Sequence, residues 1–298
     1  MNTSVLVVGA TGNLGSRIAH CLVEGGQADL RLLVRSLKPS DRRKKEILGE
    51  LVARGADLVE GDLTSPETLA LALAGVDVVV SAVQGGRDVI VNGQVALAEA
   101  AASAGVRRFI PSDFALDLWK APQGAPMFAL RREADAAIEA TGLEVVHVLN
   151  GAFMDMMIDP NTAGVVDLVS GTGQFYGDGS DEFDLTLVAD VAQFTARIAV
   201  DATAAPGVYT LSGQRSSFED VIATVERVTG RTLTRVARGT ADDLVTTISA
   251  APSPWAVMGE WYNLSMITTP PFAETSNDRY PDVHPTDLET YLRGALSA

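Results

Sequence analysis

A loop with three glycines near the amino terminus constrains the fold more than any other feature of the chain. The apolar run Val5–Val8 leads directly into this loop, and a helical pattern follows it. The glycines are Gly9, Gly12 and Gly15. Glycines between a strand and a helix permit a tight turn, close approach of the backbone to a pyrophosphate, and close packing of helix on strand. The amino terminus of the helix then offers unpaired N–H groups to phosphate oxygens. The loop is therefore predicted to bind a dinucleotide.

Strands and helices alternate through the first half of the chain. The six predicted strands are Val5–Val8, Leu30–Val34, Asp57–Val59, Val76–Val83, Val106–Ile110 and Leu143–Leu149. Near-continuous apolar strands separated by helices indicate a parallel sheet covered on both faces. The expected order of a doubly wound sheet is 3-2-1-4-5-6. This context favours nucleotide binding over the alternative, a glycine turn that binds nothing.

The pattern loosens after Asn150, and this change predicts the domain organisation. Residues 1–150 are expected to form a dinucleotide-binding Rossmann domain, rejoined by a strand near 207–212. Residues 151–298 are expected to form mainly a substrate-binding or cap region. The predicted fold class is α/β, a doubly wound parallel Rossmann sheet with a smaller, interleaved C-terminal substrate or cap domain.

Charge and cysteine content exclude several classes of partner. The formal net charge is −15, and a chain this acidic repels phosphate backbones, so we expect no direct binding to nucleic acid. No apolar run reaches the roughly 18 residues of a membrane span. The chain shows no signal peptide, so we expect a cytoplasmic protein with no membrane association. A single cysteine, Cys21, and three scattered histidines predict no metal site.

The end of the second predicted strand indicates which nucleotide is bound. NAD sites usually place an acidic residue there, roughly 20 residues after the glycine loop. This chain has Arg35 instead, followed by a basic run that includes Lys44. A guanidinium suits a 2′-phosphate by charge and by geometry. We therefore predict NADP(H) as the cofactor, with Arg35 and Lys44 at the 2′-phosphate. The alternative for the basic run is a solvated loop.

Further cofactor contacts are predicted where other strands end. The loop adds Thr11, Asn13 and Leu14 to its glycines. Asp62 and Leu63 follow the third strand, where Asp62 is placed either at the adenine amino group or as a turn residue. Ser81, Ala82 and Val83 end the fourth strand, and we expect them near the nicotinamide ribose.

With these residues in place, the chain resembles the NmrA-like and isoflavone reductase-like family of atypical short-chain dehydrogenases. The matching segments are Gly9–Gly15, Leu33–Arg35, Gly61–Leu63, Val76–Ser81, Arg107–Phe114, Phe128–Ala140 and Asn150–Phe153. The resemblance covers the first 155 residues well and the rest loosely. It implies an NADP-binding domain and a cap that covers the nicotinamide. It also implies two kinds of member: reductases of phenolic, aromatic or quinone substrates, and cofactor-sensing regulators that do no chemistry.

The catalytic position departs from the pattern of the reductases that the chain resembles. None of the five tyrosines is followed by lysine four residues later, so the usual short-chain pair is absent. The resemblance implies a lysine at the start of the helix before the sixth strand, where this chain carries Arg131. Arginine is a poor proton donor but can stabilise an oxyanion formed by hydride addition. The alternative role of Arg131 is a surface i,i+4 pair with Asp135.

Two further residues are candidates for the chemistry. Ser112 ends the fifth predicted strand, where open α/β sheets place ligands, although a helix-capping turn is the alternative. Lys120 is the only lysine after Lys45, and it could donate a proton if its loop folds inward. Solvation is the alternative for Lys120. His147 lies between two valines of the sixth strand and is predicted to be a satisfied core residue.

Residues near the ends of the fifth and sixth strands, together with one tryptophan late in the chain, suggest where a substrate binds. The predicted substrate contacts are Asp113, Phe114, Phe153, Met156, Met157 and Trp261. Such residues favour a small apolar or aromatic compound, and the alternative is cap-domain core. We therefore predict an NADPH-dependent reductase of a small aromatic, phenolic or quinone-like compound. The other hypothesis is a non-catalytic NADP(H) sensor that acts through a protein partner, and a homodimer is left open in both.

Overall fold

The computed structural model describes residues 2–158 and 164–297. The chain forms two compact units. The first consists of Met1–Asp113, Leu130–Val148 and Val191–Tyr209, and the second of Phe114–Ala129, Leu149–Asp190 and Thr210–Ala298.

The strands and helices are numbered in chain order over the described residues. The strands are β1 Thr3–Val8, β2 Ala28–Val34, β3 Asp57–Glu60, β4 Val78–Ser81, β5 Arg108–Ile110, β6 Glu144–Leu149, β7 Ala152–Phe153, β8 Val166–Asp167, β9 Thr172–Phe175, β10 Glu182–Thr186, β11 Gly207–Thr210, β12 Gln214–Ser217 and β13 Thr234–Ala237. The helices are α1 Asn13–Gly25, α2 Arg42–Ala53, α3 Pro66–Leu73, α4 Gln94–Ser103, α5 Pro126–Glu139, α6 Val188–Val200, α7 Phe218–Thr229, α8 Ala241–Ala250, α9 Met258–Thr268 and α10 Leu288–Ser297.

A seven-stranded sheet forms the centre of the first unit, in the order β11-β6-β5-β4-β1-β2-β3. The pairs from β3 through β1 and β4 to β6 are parallel. The predicted order 3-2-1-4-5-6 and the Rossmann-type fold are therefore confirmed, and β11 lies beside β6. Leu6, Val79 and Phe109 are fully buried and pack in one cluster with apolar residues of α3, α4 and α5. This packing accounts for the near-continuous apolar sequence of the strands.

The helix after β4 differs from its prediction. The alanine-rich segment does not form one α-helix from about Arg87, because Asp88–Gly93 is a π-helical turn that precedes α4. The side chain of Gln94, the first residue of α4, is buried and donates to the carbonyl of Ile90 at 3.0 Å. Such π-helical turns are frequently found at functional sites.

The second unit contains two small sheets, with strand orders β12-β10-β7 and β13-β9-β8. Its core includes Phe183 and Phe218, whose rings meet edge to face with centroids 5.2 Å apart. Helix α7 begins with a capping box, in which Ser217 and Asp220 each bind the other's backbone N–H.

Candidate functional site

The glycine loop after β1 has no room for side chains at two of its positions. Gly9 has a φ of +88°, and a Cβ atom there would lie 2.3 Å from the carbonyl oxygen of Ala82. A Cβ atom on Gly15 would lie 2.3 Å from the carbonyl oxygen of Gly9. The loop thus packs directly against the backbone that follows β4. These contacts are the physical reason for glycine at both positions.

Helix α1 presents its amino terminus beside this loop. Its N-cap is Gly12, which has no side chain to accept a hydrogen bond from the first turn. The first turn also contains no acidic residue. Its N–H groups and the positive end of the helix dipole are therefore available to an anion. Together with the close packing at Gly9 and Gly15, this arrangement fits the pyrophosphate of a dinucleotide.

Arg35 and Asp62 lie near each other where β2 and β3 end. The Arg35 side chain is exposed. Hydrogen bonds from Thr64 lower the pKa of Asp62, and the charge of Arg35 lowers it further. Asp62 Oδ1 accepts from both the hydroxyl and the N–H of Thr64, at 2.7 and 2.9 Å. Asp62 therefore has the predicted turn role in the structure, and its contact with adenine stays a prediction.

Three other predicted cofactor contacts, Lys44, Leu63 and Ser81, lie in different segments of the first unit. Lys44 lies in the first turn of α2, where its backbone N–H donates to Asp41 at 2.9 Å. Leu63 lines a cavity of about 400 Å³ together with Asn92 and Ala96. Ser81 is fully buried at the end of β4. The structure thus brings together the loop glycines and Ala82, while Lys44 and Leu63 remain predicted contacts.

Ser112 connects the ends of β4 and β5. Its hydroxyl donates to the carbonyl of Val83 at 2.7 Å, and its N–H donates to Gln94 Oε1 at 3.0 Å. Ser112 is only 4% exposed. These contacts correct the prediction of a catalytic serine, because the hydroxyl already donates to a backbone carbonyl. Gln94 was missed, since nothing in an alanine-rich helix marks one glutamine as a buried partner.

Arg131 on α5 lies against the carboxyl end of β5. Its Nε atom donates to the carbonyl of Ser112 at 2.8 Å, and its side chain is half-buried. The surface position expected for the alternative pair with Asp135 is wrong, because Asp135 is 2% exposed, although the charge of Arg131 acts on that carboxyl group and opposes the rise of its pKa. Helix α5 thus directs the guanidinium of Arg131 to the edge of the sheet where open α/β folds bind ligands.

A cluster of ionisable side chains, most of them buried, lies close to Arg131 in the first unit. His147 Nδ1 is 2.7 Å from Asp113 Oδ2 and 4.0 Å from Asp135 Oδ1. His147 Nε2 is 3.2 Å from Glu139 Oε1. Asp113 is 1% exposed, so the prediction that it contacts substrate is corrected: it binds His147 in the interior. His147 is a satisfied core residue, as predicted, but the sequence did not reveal its acidic partners.

Burial and neighbouring charges change the protonation of this cluster. Burial raises the pKa of Asp135 to about 10, and the negative charges of Asp113 and Glu139 add to the effect while Arg131 opposes it. Burial lowers the pKa of His147, but its hydrogen bond to Asp113 and the carboxylate charges outweigh burial, so the pKa is raised. Asp135 therefore holds a proton at neutral pH beside an imidazole that favours its charged form.

This proton resolves a conflict in the hydrogen bonding of the two aspartates. Both oxygens of Asp135, and Oδ1 of Asp113, have no donor among the described residues. Two ionised carboxylates only accept hydrogen bonds, so they cannot satisfy each other. A protonated Asp135 becomes a donor to Asp113, and the pair then shares one proton.

Lys120 and the remaining predicted substrate contacts lie in the second unit. Lys120 Nζ forms an ion pair with Asp117 at 2.9 Å, and its side chain is 54% exposed, which corresponds to the solvated alternative. Phe114 and Met157 are buried, so the prediction that they contact substrate is corrected in favour of core packing. Phe153 is half-buried and Met156 is exposed. These two residues and Trp261 remain predicted substrate contacts.

Trp261 packs tightly within the second unit. A Cβ atom on Gly124 would lie 2.9 Å from its indole ring, and the ring also packs against the core of this unit. Its Nε1 atom is buried and has no acceptor among the described residues. An indole N–H can only donate, so Trp261 offers one donor to a ligand that accepts.

The strand order and the glycine loop together define a Rossmann-type dinucleotide-binding protein. The chain belongs to the NmrA-like family, whose sequence model matches residues 1–291. The resemblance inferred from the motifs is therefore confirmed. No helix in the part of the chain that the structure describes is long and apolar enough to cross a membrane.

Relatives match along almost the whole chain. Pinoresinol reductase 1 of Arabidopsis thaliana is 30% identical, over 98% of this chain and 96% of the relative. Eugenol synthase 1 of Petunia hybrida is 25% identical, over 97% of each chain. The solved structure of AtPrR2 with NADP+ and (+)pinoresinol has a TM-score of 0.84 and 26% identity, and the match covers 98% of each chain.

Proposed function

We propose that this protein is an NADPH-dependent reductase of a small phenolic or related aromatic compound. The observation that carries the proposal is the match over almost the whole chain to a relative named as a pinoresinol reductase. The glycine loop supports it, since Gly9 and Gly15 let the loop pack directly against the backbone beside the amino terminus of α1, where a pyrophosphate would bind. The alternative of a non-catalytic sensor has less support, because the relatives reported above are named as enzymes.

In the proposed site, some residues bind the cofactor and others stabilise the reacting substrate. The loop and the first turn of α1 bind the pyrophosphate, and Arg35 and Lys44 bind the 2′-phosphate. NADPH, when bound, supplies the hydride. Arg131 stabilises the negative charge that develops on the substrate oxygen when the hydride is added. The test is NADPH oxidation with a panel of lignan-like, phenylpropanoid and quinone compounds, and the proposal fails if no member is reduced.

The proposal includes a cytoplasmic location. The single cysteine, Cys21, supports it, because the chain cannot form an intramolecular disulfide. Fractionation of the source cells, followed by detection of the protein, tests the location.

Arg35 is expected to determine the preference for NADPH over NADH. A charge-assisted pair with the 2′-phosphate is worth ~1.5–3 kcal/mol, or about 10- to 100-fold in affinity. Arg35→Asp is therefore expected to erase or reverse the preference. Calorimetric titration of parent and variant with both nucleotides measures it.

A matched control for this experiment is Arg54→Asp. It makes the same change of charge in the residue that follows α2, where Arg54 pairs with Glu24 on the surface. The control is expected to keep the parent's preference. Equal affinities of the parent for NADPH and NADH would contradict the prediction.

Substrate recognition is expected to depend on residues after position 150. Trp261→Ala removes a buried indole donor that has no acceptor in the part of the chain that the structure describes, and Met156→Ala removes an exposed apolar side chain. Both variants are expected to weaken binding of the phenolic ligand while NADPH affinity stays within about threefold, a difference below ~0.7 kcal/mol. Titration with each ligand measures the two affinities. Leu71→Ala, at an exposed position on α3, is the control and should alter neither.

A further inference from the structure

A chain of hydrogen-bonding groups leads from the surface of the first unit to the carboxyl end of β5. It begins at Glu139, whose side chain is 58% exposed. It continues through the two ring nitrogens of His147 to Asp113, with separations of 3.2 and 2.7 Å. It ends at Asp135, which shares a proton with Asp113. The three inner residues are each at most 2% exposed.

The stability of the fold does not by itself explain why ionisable side chains occupy the buried positions of Asp113, Asp135 and His147. Removing carboxyl groups from water is costly, and buried polar clusters are often no more stable than apolar side chains of similar volume. Strongly perturbed ionisable groups are concentrated at functional sites, because catalytic acids and bases need pKa values matched to their task. The cluster also lies at the edge of the sheet where ligands bind in open α/β folds.

The position of the cluster relative to Arg131 indicates what it does. Asp113 directly follows Ser112, whose carbonyl accepts from Arg131. Asp135 lies one helical turn after Arg131 on α5. A lysine both carries a charge and gives up a proton, whereas an arginine carries only the charge. In this chain a separate proton source lies next to the guanidinium.

We propose that Asp113, Asp135 and His147 form a proton relay for the reduction, a role that rests on the proposed function. The substrate carbon receives the hydride, NADPH becomes NADP+, and the substrate oxygen takes one proton, which the buried Asp113–Asp135 pair supplies through a water molecule because neither carboxyl group faces the substrate. Solvent restores that proton through Glu139 and His147. Within residues 2–158 and 164–297, the charged groups that face the pair are Arg131 and Glu139 on α5 and His147 on β6.

The same three inner residues also resemble a set of metal ligands. One ligand atom from each lies within 4.8 Å of the others. The 2.7 Å separation of His147 Nδ1 and Asp113 Oδ2 is a hydrogen-bond distance. Two ligands of a tetrahedral zinc ion, each at about 2.0–2.1 Å from the metal, are separated by roughly 3.3 Å. The observed geometry therefore favours the shared proton over a metal ion.

Kinetics of two variants on a reduced substrate test the relay. Asp135→Asn is expected to lower kcat by about 10²-fold, the usual contribution of a positioned acid, with NADPH affinity unchanged. Glu139→Gln interrupts the path of protons from solvent, so the variant is expected to lower kcat and enlarge the solvent deuterium isotope effect. Because Glu139 is exposed, the variant is expected to fold normally. Glu133→Gln is the control, since Glu133 on the same helix pairs with Arg87 at the surface. It should keep the parent's rate and isotope effect.

Infrared spectroscopy of the protein without NADPH tests the shared proton independently of activity. The parent is expected to show the carbonyl band of a protonated carboxyl group at neutral pH, and Asp135→Asn is expected to lose it. A parent without that band, or variants with the parent's kcat, pH profile and isotope effect, would overturn the relay. Stoichiometric Zn²⁺ binding that Asp135→Asn abolishes would also overturn it, in favour of a metal site. A parent that reduces no substrate contradicts the proposed function, while the infrared result still decides the protonation of the pair.

Discussion

Arg131→Ala is expected to lower kcat by about 10²–10³-fold while the affinity for NADPH stays within about threefold. The guanidinium is held at the carboxyl end of β5 by its bond to the carbonyl of Ser112. A fixed positive charge there stabilises the oxygen as negative charge develops in the transition state, and it contributes little to binding of the cofactor. Steady-state kinetics on a reduced substrate, with titration of NADPH, measure both effects.

Two further variants show whether the charge or the packing of Arg131 is responsible. Arg131→Lys keeps the positive charge and is expected to retain part of the activity. Arg132→Ala, at the next position of α5, is the control and is expected to retain nearly all of it. An Arg131→Ala variant as active as the parent would remove Arg131 from the mechanism. A loss in all three variants together with lowered stability would indicate a structural role.

The free energy of unfolding of the parent is expected to fall as pH rises from about 5 to about 8. Folded Asp135 keeps its proton up to a pKa of about 10. An unfolded aspartate releases its proton near a pKa of about 3.9. Unfolding between these two values therefore releases a proton, and stability falls by about 1.4 kcal/mol for each pH unit. Over three units the loss is roughly 4 kcal/mol.

His147 contributes to the pH dependence with the same sign. Its folded pKa is raised, so its stabilising effect is fully present below the unfolded value and is lost as pH rises through the folded value. Asp135→Asn removes the carboxyl proton but keeps a donor for Asp113, so its stability should depend less steeply on pH. Urea unfolding of both proteins across this pH range measures the slopes. Equal slopes would show that Asp135 is not protonated in the folded parent.

The fold could be predicted because its signals are local in the sequence. Apolar runs such as Val5–Val8 specify buried strands, and the glycines after the first strand specify a tight turn before a helix. The handedness of strand–helix–strand connections then restricts the order of the strands. The order 3-2-1-4-5-6 and the family followed from these patterns, and both are confirmed.

The candidate site could be predicted only in part. The segment with Ser112 was expected at a ligand-binding edge, but its hydroxyl was assigned to chemistry rather than to Val83. Asp113 was expected to face a substrate, and it faces His147 instead. In both cases the sequence places the residue at a strand end without indicating which way its side chain points. That direction depends on partners from other elements.

The sequence by itself determined the Rossmann-type sheet and the glycine loop, because these depend on residue type and on neighbours along the chain. Only the tertiary structure decided that Asp113, Asp135 and His147 form one buried cluster. Asp113 and His147 are 34 positions apart and belong to different elements. The protonation of Asp135 and His147 depends on burial and on charges a few ångströms away, which arise only when β5, β6 and α5 pack together.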